Sequence, residues 1–287
     1  MTLCYFVSDL HGQISRYQKL LAAMLETPPA ALFLGGDLLP STLQAGSSGQ
    51  AGAQNFVEDY LLPEFSRLRD ELGEAYPRLF VIPGNDDPRT AETGLKLGQS
   101  EYLWEYIHNR QVLFEGFPVY GYACVPPTPF LLKDWERYDV SRFLDVGCIA
   151  PEEGYRTVPM PLDEIRRRTI WDDLQALVGT GELSQAICLF HSPPYQTSLD
   201  RAALDGQMID HAPLDVHLGS VAIRRFIETY QPRLTLHGHI HEAPRVTHVW
   251  KEHLGPTLML TAAHDGPELA LVQFDLQAPA EASRKLL

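Results

Sequence analysis

The sequence predicts an α/β protein. Three observations point to it: short, continuously apolar runs of β-type residues, helical apolar stripes between several of them, and glycine-rich or polar turns where the runs stop. The runs fall at residues 3–7, 31–34, 79–82, 119–122, 186–190, 234–236, 257–260 and 269–274. Continuous apolarity over so few residues, rather than strict alternation, marks strands buried on both faces. Ile14, Tyr17, Leu21, Met24 and Leu25 make one helical stripe. Ile223, Phe226, Ile227 and Tyr230 make another, with Ser220 placed to cap it and Pro232 just past its end. Strands alternating with helices argue for layered α/β architecture.

The 287 residues fit one to two domains. With 45% hydrophobic and 21% charged residues, the chain can bury a sizeable core without staples. No linker or repeat divides it, so residues 1–276 read as a single domain. Residues 40–55, rich in Ser, Gly, Ala and Gln, read as a mobile loop. Residues 122–161 are proline-bearing and weakly periodic, yet hold Phe130, Trp135 and Tyr138, which favours an ordered, irregular flap. Residues 277–287 read as a flexible tail.

The formal charge of −14 disfavours broad binding to nucleic acid or anionic lipid, since phosphate binding needs a basic footprint. A local basic or metal-bearing cleft stays compatible with it. Cys4, Cys124, Cys148 and Cys188 form no CxxC pair, and their apolar neighbours suit reduced thiols. With no basic, signal-like N-terminal region and no apolar stretch of about 18 residues, the expectation is a cytoplasmic protein with no membrane segment. A homo-oligomer stays open.

The residues just past each strand carry the most information. Residues 3–7 lead into Asp9-Leu10-His11-Gly12, 31–34 into Gly35-Gly36-Asp37, and 79–82 into Pro83-Gly84-Asn85-Asp86-Asp87. Residues 186–190 end at His191-Ser192-Pro193-Pro194, and 234–236 at His237-Gly238-His239-Ile240-His241. Taken singly, each is more often a turn or a packed histidine than a ligand. Together they put metal-ligand residue types at the carboxyl ends of five strands, where open α/β sheets form their sites. Asp9, Asp37, Asn85, His11, His191, His239 and His241 are too many for one tetrahedral zinc. They suit two adjacent divalent or trivalent ions sharing a carboxylate, with Mn or Fe favoured over Zn, Ni or Co. His237 reads as a packing or supporting residue.

The ordered pattern D-x-H, G-G-D, G-N-x-D, H and G-H-x-H resembles the calcineurin-like metallophosphoesterase superfamily. The stretch His217-Leu218-Gly219-Ser220, followed by LTLHGHIHEAP, resembles its prokaryotic phosphoesterase branch. The resemblance spans Asp9 to His241 and implies a four-layer α/β/β/α sandwich of two mixed sheets with a dimetal site. By position, it implies that Asp9, His11 and His241 hold one ion, that Asn85, His191 and His239 hold the other, and that Asp37 bridges them. It implies hydrolysis of phosphoesters by in-line attack of a water acidified between the ions.

One departure matters. The family pattern places histidine after the Asn, as proton donor or charge stabiliser for the leaving group; here that position is Asp86. An ionised carboxylate cannot donate a proton, so the catalytic set becomes Asp37, Asn85 and Asp86, and the resemblance favours phosphodiesters over monoesters. GGDLLP and GNDD also depart from the G-D-x-V-D-R-G and G-N-H-E of the Ser/Thr protein phosphatases. The competing reading is a non-catalytic interaction scaffold on the same fold. For the unidentified substrate, the expected contacts are Trp135 or Tyr138, by stacking, and His217, just before a helix N-terminus that could receive an anion.

Overall fold

The computed structural model describes residues 2–41, 52, 55–179 and 181–287. The loop expected at 40–55 lies for the most part outside the described residues. The strands are β1 (Leu3–Val7), β2 (Ala31–Gly35), β3 (Arg78–Ile82), β4 (Glu105–Tyr106), β5 (Arg110–Phe114), β6 (Phe117–Tyr122), β7 (Ile187–Phe190), β8 (Met208–Ile209), β9 (Ala212–Pro213), β10 (Leu234–His237), β11 (Lys251–Leu254), β12 (Thr257–Thr261), β13 (Ala270–Asp275) and β14 (Ser283–Leu286). The α-helices are α1 (Ile14–Glu26), α2 (Leu62–Leu72), α3 (Glu92–Ser100), α4 (Leu162–Arg167), α5 (Ile170–Val178), α6 (Val221–Tyr230) and α7 (Ala243–Thr247).

Two six-stranded sheets result, in the orders β14-β13-β1-β2-β3-β4 and β11-β12-β10-β7-β6-β5. Both are mixed. β1, β2 and β3 run parallel, with β13 antiparallel to β1. β6, β7, β10 and β12 run parallel, with β5 and β11 antiparallel at the edges.

The continuous apolar runs have a direct explanation. Alternate residues of one strand enter different cores. Phe6, Phe33 and Phe80 point between the sheets with Ile187 and Leu189. Tyr5, Leu32 and Val81 point outward, onto Tyr17 and Leu20 of α1, Phe65 of α2 and Leu95 of α3. The second sheet carries Leu174 of α5 and Phe226 of α6 on its far side. Helix, sheet, sheet, helix is thus the layer order, as the resemblance implied.

Local chemistry sets the helix ends. Ser220 Oγ accepts from Ile223 N at 3.0 Å, the expected N-cap of α6. Thr169 and Asp172 form a reciprocal capping box on α5. In α1 the buried stripe runs through Tyr17, Leu20, Leu21 and Met24, whereas Ile14 and Leu25 are exposed. Residues 277–287, expected as a flexible tail, instead return as β14 on the edge of the first sheet. Its Ser-Arg-Lys-Leu sequence has no apolar pattern because an edge strand keeps a solvated, charged side.

Candidate metal centre

The loops after β1 and β2 run side by side and continue the ladder beyond the sheet. The N–H groups of Asp9, His11 and Gly12 donate to the carbonyls of Gly36, Asp37 and Leu38 at 2.9, 2.8 and 2.9 Å. Asp9, His11, Asp37 and His239 all have positive φ, at 58°, 47°, 51° and 73°. That left-handed backbone is what turns Asp9 and His11, and His239 and His241, toward one point. For non-glycine residues it costs on the order of 1–3 kcal/mol each, and such strain clusters at functional sites. Two glycines permit the approach: a Cβ on Gly84 would fall on Asp37 and His191, and one on Gly238 on Ser8 and Asp9.

Two donor groups form, with ligand atoms all within 4.8 Å of one another: Asp9, His11, Asp37 and His241, and Asp37, His191 and His239. Asp37 belongs to both. Asn85 Oδ1 joins the second group, 3.1 Å from His191 Nε2. Asp37 Oδ2 lies 3.4 Å from His191 Nε2 and 3.9 Å from His11 Nε2. His241 Nε2 lies 3.4 Å from Asp9 Oδ1 and 3.1 Å from His11 Nε2. All seven ligand candidates therefore converge, and each group draws on both sheets.

The residues fit a pair of ions. His191 Nδ1–H donates to Gly35 O at 2.8 Å, which fixes the tautomer and leaves Nε2 free as a donor. Asp9 is oriented by His239 N–H at 3.0 Å. Asp37 Oδ1 accepts from Asp86 N–H at 2.8 Å. Burial works to lower the His11 pKa, but Asp86, Asp37 and Asp9 outweigh it and raise it to about 9. His191 is likewise raised to about 9, its burial overcome by Asp37. Burial alone would raise both carboxyls, yet His241 holds Asp9 at about 2 and His191 holds Asp37 far below the usual range. Burial keeps His239 neutral, down to about 3. Carboxylates and imidazoles packed this closely, with Asp9 and Asp37 buried, are the environment that a cation stabilises.

Supporting residues surround the ligands. Buried Arg16 donates from Nη1 to Asp9 O at 2.6 Å and from Nη2 to Gly266 O at 2.5 Å. The sequence signal for it was a lone cation on the buried stripe of α1. Asp87 accepts from the N–H groups of Leu38, Leu39 and Gly84, joining the loops after β2 and β3. His237 is fully buried, its Nδ1 at 2.9 Å from Ser192 O and its Nε2 at 2.7 Å from Thr235 Oγ1. That is the supporting place expected of it. Asp86 reaches His11 Nδ1 at 3.3 Å and accepts from Ser41 Oγ at 3.2 Å.

The ligands open onto a cleft of about 430 Å³ whose floor includes His11, Asp37, Asn85, Asp86, His239 and His241. The irregular segment 122–161 forms one wall. Buried Lys133 pins that wall, donating to Thr128 O at 2.8 Å and Glu136 Oε2 at 2.5 Å. Trp135, expected to stack on substrate, is buried, and its Nε1–H donates to Asp87 O at 2.8 Å, tying the segment to the loop after β3. Tyr138 is buried too, its hydroxyl donating to Glu152 at 2.8 Å. His217 pairs with buried Asp200 at 2.7 Å. The structure brings none of these three to the cleft lining. The helix N-terminus beyond His217 is also taken: Asp139 accepts from Ser220 Oγ, Val221 N and Ala222 N at 2.6, 2.6 and 3.1 Å.

Comparison with known proteins agrees with this geometry. The family model described as calcineurin-like phosphoesterase matches residues 4–243. A solved structure from Thermus thermophilus is similar over 99% of this chain and 98% of its own, at 17% identity and a TM-score of 0.55. A dimetal phosphatase from Danio rerio is similar over 94% and 91%, at 11% identity and a TM-score of 0.50. At such identities the likeness is one of fold. No curated protein matches the chain.

Proposed function

The chain belongs to the calcineurin-like phosphoesterase family, and from that premise we propose that it is a dimetal-dependent hydrolase of phosphodiesters. The carrying observation is the pair of donor groups that share Asp37. Asp9, His11 and His241 would hold one ion, Asn85, His191 and His239 the other, with Asp37 between them. Mn or Fe suits this mixed nitrogen and oxygen set. When bound, the ions supply Lewis-acid polarisation of the phosphoryl oxygens and an acidified water.

The chain's own residues do the rest. Gly35 O and the N–H groups of His239 and Asp86 hold His191, Asp9 and Asp37 in donor orientation. Asn85 and Asp86 line the cleft beside Asp37. Asp86 supports the diester preference on charge. A second carboxylate beside Asp37 repels a monoester dianion more than a diester monoanion. It also keeps His11 oriented through Nδ1. Free, buried Cys4, Cys124 and Cys188 support a reducing compartment and so the cytoplasm. No described helix is long and apolar enough to cross a membrane.

The test is chelation, reloading with Mn, Fe, Zn, Ni or Co in turn, and parallel hydrolysis of bis(4-nitrophenyl) phosphate and 4-nitrophenyl phosphate. Metal-dependent turnover with the diester faster is expected. A faster monoester overturns the diester preference. Two ions bound with no turnover of any ester favours the interaction scaffold.

A further inference from the structure

The floor of the cleft is polar, whereas much of its wall is apolar. Phe130, Leu131 and Leu132 from the irregular segment line the cleft together with Leu204, Leu218 and Ile240 from the loops of the second sheet. Phe130 and Leu131 remain 50% and 56% exposed, although their backbone is tied down: Phe130 N–H donates to Thr128 Oγ1 at 3.1 Å, and Leu131 O accepts from Tyr155 N–H at 2.8 Å. Apolar side chains on an anchored backbone at the mouth of a cavity this size are the usual lining of a small-molecule site.

Charge on the walls has one sign. Asp145 and Glu242 line the cleft, and among the described lining residues there is no lysine or arginine. The residues outside the described set contain neither type. A site for a nucleoside polyphosphate would set cations or a free helix N-terminus against the distal phosphates. Here the N-terminus of α6 is already filled by Asp139.

We infer that the cleft selects phosphodiesters carrying a single anionic phosphate and an uncharged, apolar ester arm, alkyl or aryl, which lies between Phe130–Leu132 and Leu204, Leu218 and Ile240. The inference rests on the phosphodiesterase reading above. In the reaction, water adds to phosphorus and the P–O bond to one arm breaks. The departing oxygen takes a proton and leaves as an alcohol, with a phosphomonoester as the second product. Asp145 and Glu242 set the selectivity by disfavouring an arm that ends in a second anion.

Two series on the full Mn-reloaded chain test it. In the first, 4-nitrophenyl alkyl phosphates from methyl to octyl share one leaving group, so that only the arm varies. The expected kcat/KM rises about threefold per methylene until the arm fills the cleft, and a carboxylate at the end of the octyl arm lowers it at least about tenfold. In the second, the Kd of alkyl(methyl)phosphinates, which keep one negative charge but have no P–O–C bond to cleave, is measured by calorimetry. It tightens by a similar factor per methylene. Phe130→Ser, at an exposed position, flattens both slopes. A flat series with hydrolysis intact, an equally good carboxylate arm, or a slope unchanged by Phe130→Ser overturns the inference and leaves the hydrolase. A steep phosphinate series with no turnover of any diester overturns the hydrolase reading and leaves the apolar subsite.

Discussion

His11 is held from both ends: its Nδ1 lies 3.3 Å from a carboxylate oxygen of Asp86, and its Nε2 faces Nε2 of His241 at 3.1 Å. One ring thus joins the residue that departs from the family pattern to a ligand contributed by the other sheet.

Replacing Asp86 therefore tests the departure directly. Asp86→His restores a proton donor and removes one negative charge. Positioned general acids contribute about 10²–10⁴. We expect kcat/KM for an aryl monoester to rise at least about tenfold relative to the diester, read from parallel kinetics on both substrates. A ratio that stays put rules out Asp86 as the source of the preference.

Asp37 belongs to both donor groups. Asp37→Asn keeps the shape and removes the charge. Elemental analysis of the purified variant should fall below two ions per chain, with turnover lower by at least about a hundredfold. Two retained ions would assign the bridge elsewhere.

Proton release accompanies metal capture. In the metal-free protein His11 and His191 keep their protons up to about 9, and each must lose one to donate to an ion. Affinity therefore strengthens as pH rises toward 9, by up to about tenfold per pH unit for each ion, since each donor group gives up one of these protons. Competition with a chelator between pH 6.5 and 8.5 measures the slope. A pH-independent affinity contradicts it.

His237 gives a stability prediction. Burial lowers its pKa to about 4 in the fold, against about 6.5 for an unperturbed histidine. The depressed value means its contribution is present above 6.5 and lost as pH falls toward 4, because only the unfolded chain takes up the proton in that window. Urea unfolding at pH 7 and 5 should show the parent losing about 2 kcal/mol more than His237→Gln. Equal losses would remove His237 as a contributor.

Asp139→Ala uncovers the N-terminus of α6, stripping the partner of two N–H groups and the Ser220 hydroxyl. The expected cost is about 2 kcal/mol, seen as a lower Tm with metal content unchanged. Unchanged stability would mean that water replaces the carboxylate without loss.

The strands and ligands were legible for the same reason. Each of β1, β2, β3, β7 and β10 is an apolar run buried on both faces, and its candidate ligands follow within a few residues, so sequence neighbours are also neighbours in the candidate site. The edge strands β5, β11 and β14 escaped because one side faces water and their sequences are mixed. The cleft wall escaped for a different reason. Leu204 and Leu218 lie on loops with no period, and only tertiary packing brings them to the same cleft as Phe130. His217 looked available because its partner Asp200 lies 17 residues away, beyond any local pattern. Trp135 and Tyr138 were recognised as ordered, but aromatic composition cannot tell a ring that stacks on substrate from one that anchors a loop.

Both halves of the donor set come from distant parts of the chain, four from beside β1–β3 and three from beside β7 and β10. A folding intermediate with only the first sheet assembled offers neither ion a full complement. Ions held by this donor set would tie the two layers together, and loading is expected to slow their parting like rivets through two plates.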